Sequence, residues 1–166
     1  MVTIIEEANK NINKNCFLNE LKKKQDGISL KVIKVYDPNL SRNKREDYIY
    51  IDFKILEDFK GYFKDTAETN EIKQAENIKD EIIALPFTLS RTDETGNYKI
   101  TTGKNIYNIL NFGLKQKHMI PADNEKGFYI TFKEINEALS DLEFKAVTKE
   151  VKSNDFNNYL RLEVKQ

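Results

Sequence analysis

The chain has 166 residues, 39% of them apolar and 33% charged, which fits one domain with a real core and excludes a disordered composition. Its 27 basic and 27 acidic residues cancel, so attraction to nucleic acid or a membrane has to come from a local patch. A single cysteine, Cys16, excludes an internal disulfide and a cysteine-based zinc site.

No secretory leader or membrane-length apolar run is legible, so the expected location is soluble and cytoplasmic, without membrane attachment. The bias toward Lys, Asn, Ile and Glu suits an AT-rich genome.

In chain order, the first two dozen residues read as helical. Ile4, Ile5, Ala8 and Ile12, then Phe17, Leu18 and Leu21, recur at helical spacing. Asn15 is placed to cap the second segment, Lys22 to Lys24 favour its negative end, and Gly27 supplies a left-handed stop. From Ile28 to Tyr36 the residues are β-branched and apolar, ending at the turn signal Asp37-Pro38. A polar, basic loop follows.

Asp47 to Leu56 is the clearest strand: Ile49, Ile51, Phe53 and Ile55 on one face, Tyr48, Tyr50, Asp52 and Lys54 on the other. A hairpin joining these two strands is the simplest topology. Residues 57–81 read as a long surface excursion containing a solvated helix.

Ile82 to Leu89 is a third strand, with Pro86 marking an edge or a bulge. Tyr98 to Ile100 is a short extended piece. Thr102 is placed to cap a helix whose stripe is Ile106, Ile109, Leu110 and Leu114, and residues 115–127 read as loop. The sharpest local signature is the capping box Thr131-Phe132-Lys133-Glu134, stapled by Ile130 and Ile135, which opens a helix to about Asp141. Two strands, Phe144–Val151 and Tyr159–Val164, then form a closing hairpin.

Few residues suggest catalysis. His118 is the only histidine and reads as a loop residue; Cys16 reads as a buried helix residue. Gly103-Lys104 lacks the earlier glycine of a phosphate loop, because Tyr98 stands in its place. Asp47, Asp52, Glu57 and Asp58 contain the donors for a magnesium site, although such clusters are usually solvated faces.

Single-strand binding has more to draw on, since it needs aromatic faces for bases and cations for phosphates. Tyr48, Tyr50 and Lys54 share a strand face behind a loop holding Arg42, Lys44 and Arg45. The final hairpin adds Lys145, Lys149 and Lys152, a turn Phe156, and Tyr159 with Arg161 on one face. The structural alternative stays open: tyrosines favour strands, and lysines protect edges.

Five strands, with helix before the last two, resemble the oligonucleotide-binding (OB) fold, and the closing hairpin looks like that of phage and mobile-element single-stranded DNA-binding proteins. The resemblance implies an α+β chain: residues 1–27 a helical segment, residues 28–166 an OB-like barrel with two helices inserted before the last hairpin. In that family the loop between the fourth and fifth strands and the aromatic face of the middle strands touch the nucleic acid. No acidic recruiting tail is expected after the hairpin.

The leading expectation is therefore non-enzymatic binding of single-stranded nucleic acid, chiefly DNA, without cofactor or metal, in a phage or mobile element. The alternative is a protein-interaction module acting on a host or phage protein through Phe59, Tyr62 and Phe63. A carboxylate–metal enzyme comes third.

Overall fold

The computed structural model describes residues 8–9, 12–37, 48–61, 76–89, 97–101, 105–119, 127–152 and 159–165, with Tyr48 described by its backbone alone. Among these the chain is mostly β with three helices. A five-stranded antiparallel sheet is built from β1 (Ile28–Val35), β2 (Tyr48–Ile55), β5 (Ile82–Thr88), β8 (Glu143–Val151) and β9 (Tyr159–Val164). Between β2 and β5 lie β3 (Lys60–Gly61) and β4 (Glu76–Asn77), paired as a small ribbon. The described ends of the excursion over residues 57–81 thus include short strands, and its interior, residues 62–75, where a solvated helix was expected, lies outside the described residues.

The order β5-β2-β1-β8-β9 brings β8 back beside β1 after three successive strands, a Greek-key arrangement. β5 stands at the end of that order, where Pro86 is tolerated because an edge strand has a side without partners. The pairing of β1 with β2 is out of step by one residue. Leu56 N–H donates to the Ser29 carbonyl and Tyr36 N–H to the Tyr50 carbonyl, so β1 is one residue longer between these bonds. Burial in β1 changes phase there, from Ile28, Leu30 and Val32 to Val35. An extra residue of this kind is a β-bulge, which bends and twists a sheet.

Contacts divide the chain into two compact units. The first comprises Met1–Lys31, Asp52–Ala84 and Glu143–Gln166. Here α1 (Lys14–Lys22) packs on β8, β9 and β3, inserting Phe17 and Leu21. Asn13 caps it, its side chain accepting from Cys16 N–H at 3.0 Å; the expected cap, Asn15, lies inside the helix. Cys16 is half-buried, whereas the sequence reading expected it buried. The core includes Ile28, Leu30, Ile55 and Ile78, with Phe53 edge-on to Phe144 at 5.9 Å.

The second unit comprises Val32–Ile51 and Leu85–Leu142. Its ribbon of β6 (Tyr98–Ile100) and β7 (Phe128–Ile130) accompanies α2 (Tyr107–Gln116) and α3 (Phe132–Leu139). β7 was not legible as a strand in the sequence. The two helices approach closely at Gly113, where a side chain would lie 2.6 Å from the Ala138 carbonyl oxygen. The capping box is complete: Thr131 Oγ1 accepts from Glu134 N–H at 3.2 Å, and Glu134 Oε1 accepts from Thr131 N–H at 3.1 Å. Ile130 and Ile135, the expected staple pair, are both buried.

No described helix is long and apolar enough to cross a membrane.

Candidate nucleic-acid interface

The closing hairpin positions the largest group of expected contact residues. β8 and β9 pair in register from Ala146↔Val164 to Val151↔Tyr159. Alternation then sends Phe144, Ala146, Leu162 and Val164 into the core. The opposite face carries Lys145, Val147, Lys149 and Val151 on β8, beside Tyr159, Arg161 and Glu163 on β9. Lys149 faces Arg161 directly, and Val151 faces Tyr159.

These residues differ in what the fold already asks of them. Arg161 donates from Nε and Nη2 to Glu163 Oε2, at 3.2 and 2.9 Å, and its side chain is only 14% exposed. Lys145 pairs with Glu57 at 3.5 Å. Neutralising Arg161 also relieves the like-charge opposition with Lys149. By contrast, Lys149 and Lys152 are exposed and make no hydrogen bond or ion pair among the described residues. Tyr159, 49% exposed, is likewise without a polar or ring partner there. Two bare ammonium groups and a bare phenol thus collect at the far end of the hairpin.

The middle strand is arranged otherwise than alternation suggested. Ile49, Ile51, Phe53 and Ile55 are buried as expected, but the second face is covered too: Asp52 is 1% exposed. Tyr50 and Lys54 are half-buried and both engaged in interactions with the rest of the chain. Lys54 stands on the same side of the first unit's sheet as Lys145 and Lys149, because Leu56 pairs with Ser29 and Ser29 with Lys145. Arg42, Lys44, Arg45 and Phe156, with the side chain of Tyr48, lie outside the described residues.

The fold therefore gathers Lys149, Tyr159 and Arg161 on one hairpin face, with Lys152 just past the end of β8. It leaves Tyr50 and Lys54 on a covered strand face.

Sequence reasoning missed two further aromatic positions. The exposed large apolar residues among those described are all tyrosines: Tyr36 at 38%, Tyr129 at 60% and Tyr159. Lys34 Nζ lies 4.7 Å from the Tyr36 ring centroid, and Lys99 Nζ lies 5.8 Å from that of Tyr129. The alternation of Phe128, Tyr129 and Ile130 ahead of the capping box was the available signal.

Other candidates separate. Phe59 is buried and edge-on to Phe17 at 5.3 Å, so the expected exposed patch loses it to the core; Tyr62 and Phe63 lie outside the described residues. Asp58 is exposed and accepts from Asn77 Nδ2 at 3.0 Å, while Asp52 is buried and Asp47 is not described. Among the described residues no three His, Cys, Asp or Glu side chains gather as metal ligands. His118 is exposed beyond the end of α2 with φ +56°.

Comparison with protein-family models, curated proteins and solved structures finds no match to this chain.

Proposed function

We propose that this protein binds single-stranded nucleic acid without catalysing a reaction, and that the far end of the β8–β9 hairpin is a contact surface. The observation that carries the reading is the bare ring of Tyr159 on a hairpin end where Lys149 and Lys152 make no hydrogen bond or ion pair among the described residues. A base stacked on an exposed tyrosine contributes about 1–3 kcal/mol, and ammonium groups beside it neutralise phosphates. The Greek-key order supports an OB-like reading of the sheet.

In this proposal Arg161 supports the hairpin through Glu163 and leaves phosphate contact to the two lysines. Arg42, Lys44, Arg45, Tyr48 and Phe156 remain candidate contacts by sequence. A phage or mobile element as the source of the protein, and DNA as its ligand, remain part of the proposal.

Titrating a fluorescent oligo-dT at low salt tests the reading. Binding is expected in the wild type and is weakened by Tyr159→Ala and by Lys149→Gln with Lys152→Gln. A well-folded wild type that leaves the anisotropy unchanged sinks it.

A further inference from the structure

The β6–β7 ribbon presents a second aromatic–cation pair that the hairpin reading does not use. Its register sets Tyr98 opposite Ile130, Lys99 opposite Tyr129 and Ile100 opposite Phe128. Tyr98, Ile100, Phe128 and Ile130 are all buried, so the inner face is consumed by the core. The outer face of the paired residues is Lys99 and Tyr129 alone.

Tyr129 is the most exposed large apolar residue described, at 60%. Lys99 approaches its ring at 5.8 Å and makes no hydrogen bond or ion pair among the described residues. A cross-strand pair of this kind stabilises a ribbon only modestly, and it does not require so bare a ring.

The backbone under the ring is fixed on both sides. Two residues before Tyr129, Gly127 holds φ +91°, and a side chain there would strike the Ile100 carbonyl oxygen. Two residues after it, Thr131 begins the capping box of α3. Beneath, Phe128 packs against Tyr107 with ring centroids 5.9 Å apart. A ring on such a support is pre-organised, so a ligand meets it with little ordering left to do.

We propose that Tyr129 and Lys99 form a second nucleotide-binding position for single-stranded nucleic acid, with the base stacked on Tyr129 and the adjacent phosphate on Lys99. The charge of the surface selects the ligand class: among the described residues, one cation without an ion pair and no carboxylate on the outer ribbon face suit an anion that carries a flat ring. This inference rests on the single-strand reading of the chain, but it uses different residues from the hairpin.

The test uses the full chain and a fluorescent oligo-dT. Tyr129→Ala is expected to weaken binding about tenfold, Tyr129→Phe to leave it near wild type, and Lys99→Gln to weaken it a fewfold with a shallower salt dependence. Because both side chains point outward, the variants should keep the wild-type circular dichroism. Photocrosslinking of wild type to a bromodeoxyuridine oligomer should recover the peptide containing Tyr129.

If Tyr159→Ala weakens binding while Tyr129→Ala and Lys99→Gln do not, and crosslinks fall on the hairpin alone, the ribbon position is overturned and the function stands. Loss of thermal stability in Tyr129→Ala with unchanged binding overturns it equally. A wild type with no affinity for the oligomer overturns both proposals, and capture of a nuclease-resistant protein partner at Tyr129 would replace the nucleotide with a protein surface.

Discussion

Gly27 shows how much a single residue decides in this molecule. It holds φ +73° at the entry to β1, and a side chain there would strike the Ala146 carbonyl oxygen and press on Val147 Cγ1. A residue with a Cβ is penalised by about 1–2 kcal/mol for the left-handed backbone alone, before the clash with β8 is counted. Gly27→Ala is therefore expected to lower the unfolding free energy by more than about 2 kcal/mol, read as a lower urea midpoint with the same slope. Sequence reading made this glycine the left-handed stop of the first helix; its φ is positive, but α1 ends at Lys22 with Lys23 as its cap, and the close approach of β8 was not legible. Asp52 and Phe59 teach the complementary lesson. Alternation states which side chains share a face, yet it is silent on whether a second layer covers that face.

Elements follow local chemistry where their signals are local. The box at α3 was readable because Thr131 and Glu134 satisfy each other's backbone within one turn. Thr131→Ala should cost about 1 kcal/mol by chemical denaturation, and Thr131→Ser should restore most of it. Equal stability of all three proteins would remove the box from the account. The other end of α3 is a tertiary matter: Lys117, from the end of α2, donates to the Glu137 and Ser140 carbonyls at 3.1 and 2.9 Å. At α2 the residue before the helix, Ile106, offers no side-chain cap, and neighbouring Asn105 instead accepts from Thr88 N–H at 3.0 Å on β5. The expected cap Thr102 lies outside the described residues. Short pieces such as β3, β4 and β7 were missed because two or three residues carry no period.

At the scale of the whole chain the charge balance constrains how binding should respond to salt. With 27 charges of each sign there is no global field, so the salt slope reports only the lysines that meet phosphates. Lys149, Lys152 and Lys99 together give a slope of about −2 in log K against log salt, at roughly −0.7 per phosphate neutralised on a single strand. Lys149→Gln combined with Lys152→Gln should make that slope shallower, at about −0.7. A slope several times steeper in the wild type would mean that other cations dominate, with Arg42, Lys44 and Arg45 the first to replace.

The sequence by itself determined the alternation of the main strands, the capping box of α3, the closing hairpin and the absence of a global charge, because each is written in residues close together in the chain or in a sum over it. Only the tertiary structure decided that β8 lies beside β1, that the second face of β2 is covered at Asp52, and that Arg161 is held by Glu163 while Lys149, Lys152 and Lys99 make no ion pair among the described residues. Burial and pairing depend on which distant segments arrive at a residue. The same polar side chain serves the core in one place and stands ready for a ligand in another.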